Sequence, residues 1–111
     1  MSTITYDQFD AVDIRAGKIV RVEDFPKARQ PAYKIWLDFG ELGEKKSSAK
    51  LTKLYTKEEL VGKTVLAVVN FAPLQVADFM SEVLVLGMMV DAETVVLVHP
   101  GREVPLGSRL F

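Results

Sequence analysis

Apolar and polar residues alternate at every second position between Tyr33 and Phe39. A period of two indicates a β-strand with one face in the core, because successive side chains point to opposite sides of a strand. The apolar face of this predicted strand consists of Tyr33, Ile35, Leu37 and Phe39. The other face carries Lys34, Trp36 and Asp38, so a tryptophan lies among charged residues on the outer side.

Other segments rich in β-branched residues predict further strands. In chain order they are Ile14–Val22, Lys45–Leu51, Thr64–Val69, Glu82–Leu86 and Thr94–Val98. Thr64–Val69 is apolar almost throughout, which is typical of a strand covered on both faces. Gly17 interrupts the first strand, and we expect a bulge or a sharp bend there.

Two short helices are predicted from capping boxes, in which two side chains three positions apart each bond to the other residue's backbone amide. Thr5 and Gln8 form the first box, and Thr56 and Glu59 form the second. Gly62 suits the C-terminal end of the second helix. Helices this short are unstable alone, so each must lie against the strands.

The order of elements is three strands, a short helix and two strands, with extra elements at both ends. This order predicts an all-β protein: a five-stranded OB-fold barrel with a short helix between strands 3 and 4. The additions are a short N-terminal helix and extra C-terminal strands. An alternating strand–helix–strand fold needs longer helices and is excluded. The length of 111 residues predicts a single domain, residues 1–111.

The amino-acid composition excludes several kinds of catalytic and metal-binding site. The chain has no cysteine and one histidine, His99, so neither a thiolate nucleophile nor a multi-histidine or sulfur-ligated metal site is available. Its seven glycines form no phosphate-binding loop. We therefore expect no enzyme activity, no cofactor and no metal. The net charge of −1 is less basic than that of many nucleic-acid binders.

The N-terminal segment bears on the cellular location of the protein. Asp7, Asp10 and Asp13 lie where a signal peptide would have a basic start and an apolar run. No apolar stretch approaches the roughly 20 residues that a membrane-spanning helix needs. We expect a cytoplasmic protein without a membrane span.

Several segments resemble one family. Asp13–Ile19 resembles the opening strand of the stand-alone tRNA-binding OB domains that accompany methionyl- and tyrosyl-tRNA synthetases. Within that superfamily the chain is more similar to the CsaA-type secretion chaperones. The segments that carry this similarity are Asp38–Gly40, Lys46–Ala49, Ala67–Phe71, Ser81–Gly87 and Pro105–Gly107. The resemblance covers essentially the whole chain.

The resemblance implies a homodimer in which residues 1–12 and 88–111 are dimerisation extensions. It also implies binding of unfolded or precursor polypeptides, contact with the export machinery, and an ancestral capacity to bind tRNA. The chain departs from the family where relatives often place basic residues after a loop proline. Here that segment is Pro73–Asp78, which contains no basic residue, and this favours polypeptide over tRNA.

The segment from Asn70 to Glu82 is the candidate polypeptide-binding groove. In an OB barrel the loop before the last strand borders the ligand face, and this loop is apolar, with a methionine that can adapt to varied partners. The groove residues are Asn70, Phe71, Pro73, Leu74, Val76, Phe79, Met80, Ser81 and Glu82. In the alternative, the apolar side chains fill the barrel end or the dimer interface, and Ser81 and Glu82 serve local structure.

A second set of residues is suited to RNA. Aromatic rings stack on bases and lysines follow the phosphates. The candidates are Lys34, Trp36, Lys46, Ser47, Ser48, Lys50 and Lys53. In the alternative, the lysines form a solvated face, the serines make ordinary turn and strand-end bonds, and Trp36 is covered by the N-terminal helix or a partner subunit. The two functional hypotheses are thus a chaperone for protein export and a tRNA-binding module.

Overall fold

The computed structural model describes all residues from Met1 to Phe111. Two α-helices, a 3₁₀ turn and a series of strands follow one another along the chain. They are α1 (Tyr6–Asp10), β1 (Ile14–Asp24), β2 (Tyr33–Asp38), the 3₁₀ turn Gly40–Leu42, β3 (Glu44–Ala49), α2 (Lys57–Leu60), β4 (Thr64–Val68), β5 (Leu74–Val76), β6 (Phe79–Ser81), β7 (Leu84–Val85), β8 (Gly87–Met89) and β9 (Val95–Leu97). Neither helix has the length and apolar character needed to span a membrane.

The main sheet has five antiparallel strands in the order β3-β2-β1-β4-β7. It curls until its two edges, β3 and β7, approach each other. The Glu82 amide donates to the Lys46 carbonyl at 2.8 Å across this seam, so the sheet forms a nearly closed barrel. The predicted all-β, five-stranded OB-type fold is confirmed. Two hairpins, β5–β6 and β8–β9, lie outside the main sheet.

The core has the composition that the alternating pattern predicts. The inward residues of β2 are buried, and its outward residues are half-buried. Leu60 of α2 is fully buried and packs into the same core as Ile19 and Val65, so the short helix is held by its apolar side chain. Both predicted capping boxes are present, at Thr5 and at Thr56.

The first strand differs from the prediction in the position of its irregularity. The register between β1 and β2 shifts between Ile19 and Arg21, not at Gly17, so the predicted bulge at Gly17 was wrong. The ring of Phe39 packs against the backbone of Gly17 instead, and a Cβ there would lie 2.5 Å from the ring carbon Cε1 of Phe39. A glycine inside a strand can mark such a close approach rather than a bulge.

We expect Gly17→Ala to lower the free energy of unfolding by about 1–3 kcal/mol, the usual cost of overpacking a core. Phe39 is fully buried, so its ring cannot move aside into solvent. The urea midpoint of unfolding measures the loss. Gly101→Ala is the matched control, because a Cβ at Gly101 would meet no atom within 4 Å. Equal midpoints for the two variants would contradict the packing described for Gly17.

Candidate functional site

The segment predicted as a long apolar loop folds into the hairpin β5–β6. Val76 pairs with Phe79, and Ala77 adopts a positive φ of 52° in the turn between them. The turn is tied to the loop between β1 and β2, since the Lys27 ammonium donates to the Asp78 carboxylate at 2.9 Å. This bond lowers the pKa of Asp78. The tether is therefore present at neutral pH and is lost only as the pH falls through that depressed pKa.

Phe79 points from the hairpin onto the outer face of the barrel. Its ring meets Phe25 edge-on at 5.6 Å and Trp36 at 5.8 Å between centroids, and its residual exposure is 7%. The Phe79 side chain is therefore covered within the chain and does not line the cleft beside the hairpin. Aromatic pairs in this geometry stabilise beyond their area by about 0.5–1.5 kcal/mol, which explains why the hairpin lies against the sheet.

The other apolar residues of this segment face outward. Phe71 is 55% exposed, Leu74 67% and Met80 41%; Pro73 is also exposed, and Val76 is half-buried. Phe71 and Leu74 border a cleft of about 400 Å³, called here the hairpin cleft. Its lining residues are Phe71, Ala72, Leu74, Ser81, Glu82, Val83 and Leu84.

The polar residues predicted to contact a ligand are mostly engaged within the protein. The buried Ser47 hydroxyl donates to the Val83 carbonyl at 2.7 Å, and the Ser48 amide donates to Ser81 Oγ at 3.2 Å. The Glu82 carboxylate accepts from the Lys46 amide at 3.1 Å. These bonds join the two edges of the sheet, so the local interpretation of the serines and of Glu82 accounts for their positions.

Asn70 has a similar local role at the N-terminal helix. Its side-chain oxygen accepts from the Asp13 amide at 3.0 Å, and its side-chain nitrogen donates to the Ala11 carbonyl at 2.8 Å. Both hydrogen-bonding groups of this amide are thus occupied by the segment after α1. Asn70 anchors that segment to the barrel.

Three cations surround the aromatic cluster of Phe25, Trp36 and Phe79. The Arg21 guanidinium lies 4.0 Å from the centroid of the Trp36 ring. Lys34 Nζ lies 5.0 Å from the Phe25 centroid and 5.3 Å from that of Phe79, and Lys46 Nζ lies 5.2 Å from Phe79. These distances fit cation–π contacts. We call this surface, formed by Arg21, Phe25, Lys34, Trp36, Lys46 and Phe79, the basic face.

Apart from the seam residues Ser47 and Ser48, the predicted RNA set divides into two groups. Lys34, Trp36 and Lys46 lie on the basic face, whereas Lys50 and Lys53 line a separate cleft, where Lys53 pairs with Glu93 at 3.6 Å. Trp36 is covered by Phe79 and Arg21 within one chain, not by the N-terminal helix. The sequence pattern missed Arg21 and Phe25 as members of this face. The pairing of Arg21 with Trp36 depends on the register between β1 and β2, which shifts next to Arg21.

Together these features define a small OB-barrel binding domain with an apolar cleft and a basic face. A family model described as a putative tRNA binding domain matches residues 14–109. The chain therefore belongs to this tRNA-binding-domain family.

Known structures place the chain near one branch of the family. The chaperone CsaA of Bacillus anthracis str. Ames matches with a TM-score of 0.95 and 45% identity, over 99% of this chain and 100% of that one. The CsaA chaperone of Picrophilus torridus matches with a TM-score of 0.90 and 46% identity, over 98% and 100%. The expected resemblance to CsaA-type proteins is confirmed.

Curated relatives include much longer proteins. The methionine–tRNA ligase of Thermococcus kodakarensis is 34% identical over 110 residues, which is 99% of this chain and 14% of the ligase. The ligase of Pyrococcus furiosus is 35% identical over 111 residues, which is 15% of its length. The chain thus corresponds to a small part of these enzymes.

We expect Ser47→Ala to destabilise the fold by about 1–3 kcal/mol, because removing the hydroxyl leaves the buried Val83 carbonyl without its shorter hydrogen bond. Ser48→Ala is the matched control, since Ser48 is engaged across the seam through its backbone amide. Chemical unfolding of both variants measures the difference. If Ser48→Ala costs as much as Ser47→Ala, the seam does not depend on the Ser47 hydroxyl.

Proposed function

We propose that this domain is a non-catalytic chaperone that holds unfolded or precursor polypeptides for protein export. The observation that carries the proposal is the exposure of Phe71 and Leu74 beside the hairpin cleft. Two side chains of this size left in solvent on one rim form the kind of apolar surface that marks interaction sites. The similarity to two structures named as CsaA chaperones supports the same function.

The chemistry of the hairpin cleft suits a varied substrate. Its apolar rim stabilises any hydrophobic side chain by about 25 cal/mol per Å² of area removed from water, without requiring a particular shape. Met80 lies on the same hairpin, and its unbranched side chain adapts to different partners. The cleft therefore favours exposed apolar segments, which unfolded chains present and folded proteins bury.

RNA binding is the second candidate, and the basic face favours it. Arg21, Lys34 and Lys46 cluster on an outer strand face that OB folds use for oligonucleotides. The family model, described as a putative tRNA binding domain, also supports this candidate. Phe79 covers part of the aromatic surface, so phosphate contacts would dominate over base stacking. Such binding weakens steeply as salt rises.

We further propose that the domain acts as a homodimer through residues 1–12 and 88–111. Both segments expose large apolar side chains: Ile4 is 66% exposed, Tyr6 69%, Met88 65% and Val90 62%. Burial of these residues against a second copy would remove them from water. A dimer would also present two hairpin clefts to one unfolded chain, and the second contact would then be intramolecular.

Variants that alter the hairpin cleft or the basic face, one at a time, separate the two ligand hypotheses. We expect Phe71→Ser with Leu74→Ser to weaken binding of a labelled, carboxymethylated unfolded protein by roughly tenfold or more, because about 1.4 kcal/mol of lost apolar contact corresponds to tenfold. The same variant should retain any affinity for a tRNA transcript. Fluorescence anisotropy at low and high salt measures both.

The matched variant for that experiment is Lys34→Ala with Lys46→Ala. This change should leave binding of the unfolded protein within about twofold and should weaken any tRNA binding together with its salt dependence. The hairpin cleft would be refuted as the polypeptide site if the lysine variant lost binding of the unfolded protein while the Phe71 and Leu74 variant bound it as tightly as the wild type.

The dimer has its own test. We expect Met88→Asp to convert the dimer into a monomer, because a buried unpaired carboxylate costs several kcal/mol at an interface. Light scattering during size-exclusion chromatography measures the mass. Leu54→Asp is the control, since Leu54 is also exposed but lies outside both extensions. A wild-type protein that is monomeric at micromolar concentration would contradict the dimer directly.

A further inference from the structure

The seam of the barrel is joined along only part of its length. Hydrogen bonds link Lys46, Ser47 and Ser48 of β3 to the segment Ser81–Val83. Beyond Ser48 the two edges separate, and no hydrogen bond joins Ala49–Leu51 to Val85–Leu86. A cleft of about 440 Å³ lies between them. We call it the seam cleft.

The seam cleft is mainly apolar and shares lining residues with both of its neighbours. Its apolar lining includes Ala49, Leu51, Val76, Val85, Met89 and Leu97. Met88 and Met89 are adjacent in β8 and so point to opposite faces of the strand, which leaves Met88 for the proposed dimer contact. Leu84 lines both this cleft and the hairpin cleft. At the other end it shares Lys50 and Met89 with a third cleft of about 500 Å³. The seam cleft and the third cleft therefore lie side by side along the open part of the seam, and the hairpin cleft lies beside its closed part.

The end of the seam cleft next to the third cleft is positively charged. Lys50 and Lys53 line the third cleft, and Arg29 borders the seam cleft next to it. One acidic residue lies on this lining, Glu93, whose carboxylate is 3.6 Å from Lys53 Nζ. A cationic surplus thus remains at the end of an apolar groove. Its complement is a ligand that is apolar along most of its length and anionic at one end.

We propose that the seam cleft binds an extended polypeptide strand, apolar at alternate positions, whose acidic side chain meets Lys50 and Lys53. The inference rests on the proposed polypeptide-binding function and adds the place, the conformation and the charge of the bound segment. It gives Lys50 and Lys53, grouped with the RNA candidates by sequence, a role in recognising polypeptide.

The geometry of the two edges is the physical reason for an extended ligand. β3 and β7 are the edge strands of the sheet, and edge strands can pair with an added strand. Beside the seam cleft, Leu51 and Leu86 already bond within the protein, whereas Lys50 makes no backbone hydrogen bond and can pair with a ligand. A peptide bound in this way gains main-chain hydrogen bonds, while alternate side chains enter the apolar floor. RNA would leave that floor without partners, because its polymer backbone is charged at every nucleotide.

The test uses two labelled peptides that differ only at one end. Each contains valine at alternate positions, and the end carries two glutamates in one peptide and two lysines in the other. We expect the full-length wild-type protein to bind the glutamate peptide about tenfold more tightly, the effect of one charge-assisted hydrogen bond. Lys50→Glu with Lys53→Glu should reverse this preference. Anisotropy titration measures all four affinities.

The control variant is Lys45→Glu with Lys63→Glu, which changes the net charge equally outside the groove and should keep the wild-type preference. Methylating alternate backbone amides of the glutamate peptide should weaken its binding about tenfold if main-chain hydrogen bonds form. Equal affinity for the methylated and unmethylated peptides would overturn the strand-like conformation.

The remaining outcomes separate this inference from the proposed function. If the wild-type protein binds carboxymethylated unfolded protein but neither peptide better than the other, the inference fails and the proposed function stands. If it binds no polypeptide at all, both fail. If Lys50→Glu with Lys53→Glu abolishes tRNA binding and leaves the peptide preference unchanged, these lysines serve RNA and the inference is overturned.

Discussion

Closure of the barrel across one short seam is the contact on which the remaining structure depends. The Ser47 hydroxyl and the Lys46 backbone hold Ser81–Val83 against β3. One of these bonds is a backbone pair, and side chains supply the others where a regular ladder would use backbone pairs alone. These bonds fix the position of the hairpin β5–β6, because the hairpin ends at Ser81. The place of the hairpin in turn decides which apolar residues are covered and which stay in solvent.

The seam also explains why the polar and the apolar candidate residues of this region differ in exposure. Ser47, Ser81 and Glu82 make the hydrogen bonds that close the barrel, so their side chains stabilise the fold. Phe79 is covered because Val76 and Phe79 flank a tight turn, and this turn places the Phe79 ring against Trp36 on the outer face of the barrel. Phe71 and Leu74 precede that turn and remain outside. One hairpin therefore carries both a packing residue and the rim of the hairpin cleft.

Much of the fold follows from local sequence. The alternation in β2, both capping boxes and the order of elements depend on neighbours within a few residues, and all were predictable. The bond from Ser47 to Val83 joins positions 36 apart, and no local pattern encodes it. The hairpin was missed because Ala77 and Asp78 lack the Asn-Gly or Asp-Gly signal of a two-residue turn. The register shift beside Val20 likewise hid Arg21, and with it part of the basic face.

The positions of the two candidate surfaces bear on whether one domain could serve both polymers. Phe79 belongs to the basic face, whereas Leu74 and Val76 on the other strand of the hairpin border the hairpin cleft and the seam cleft. The hairpin therefore lies between the basic face and the two clefts. Its tether from Lys27 to Asp78 is an exposed ion pair, and such pairs contribute little to stability. Movement of the hairpin is therefore opposed mainly by the packing of Phe79 against Phe25 and Trp36. A polymer that required those rings would have to displace Phe79, whereas a polypeptide in the clefts would leave it in place.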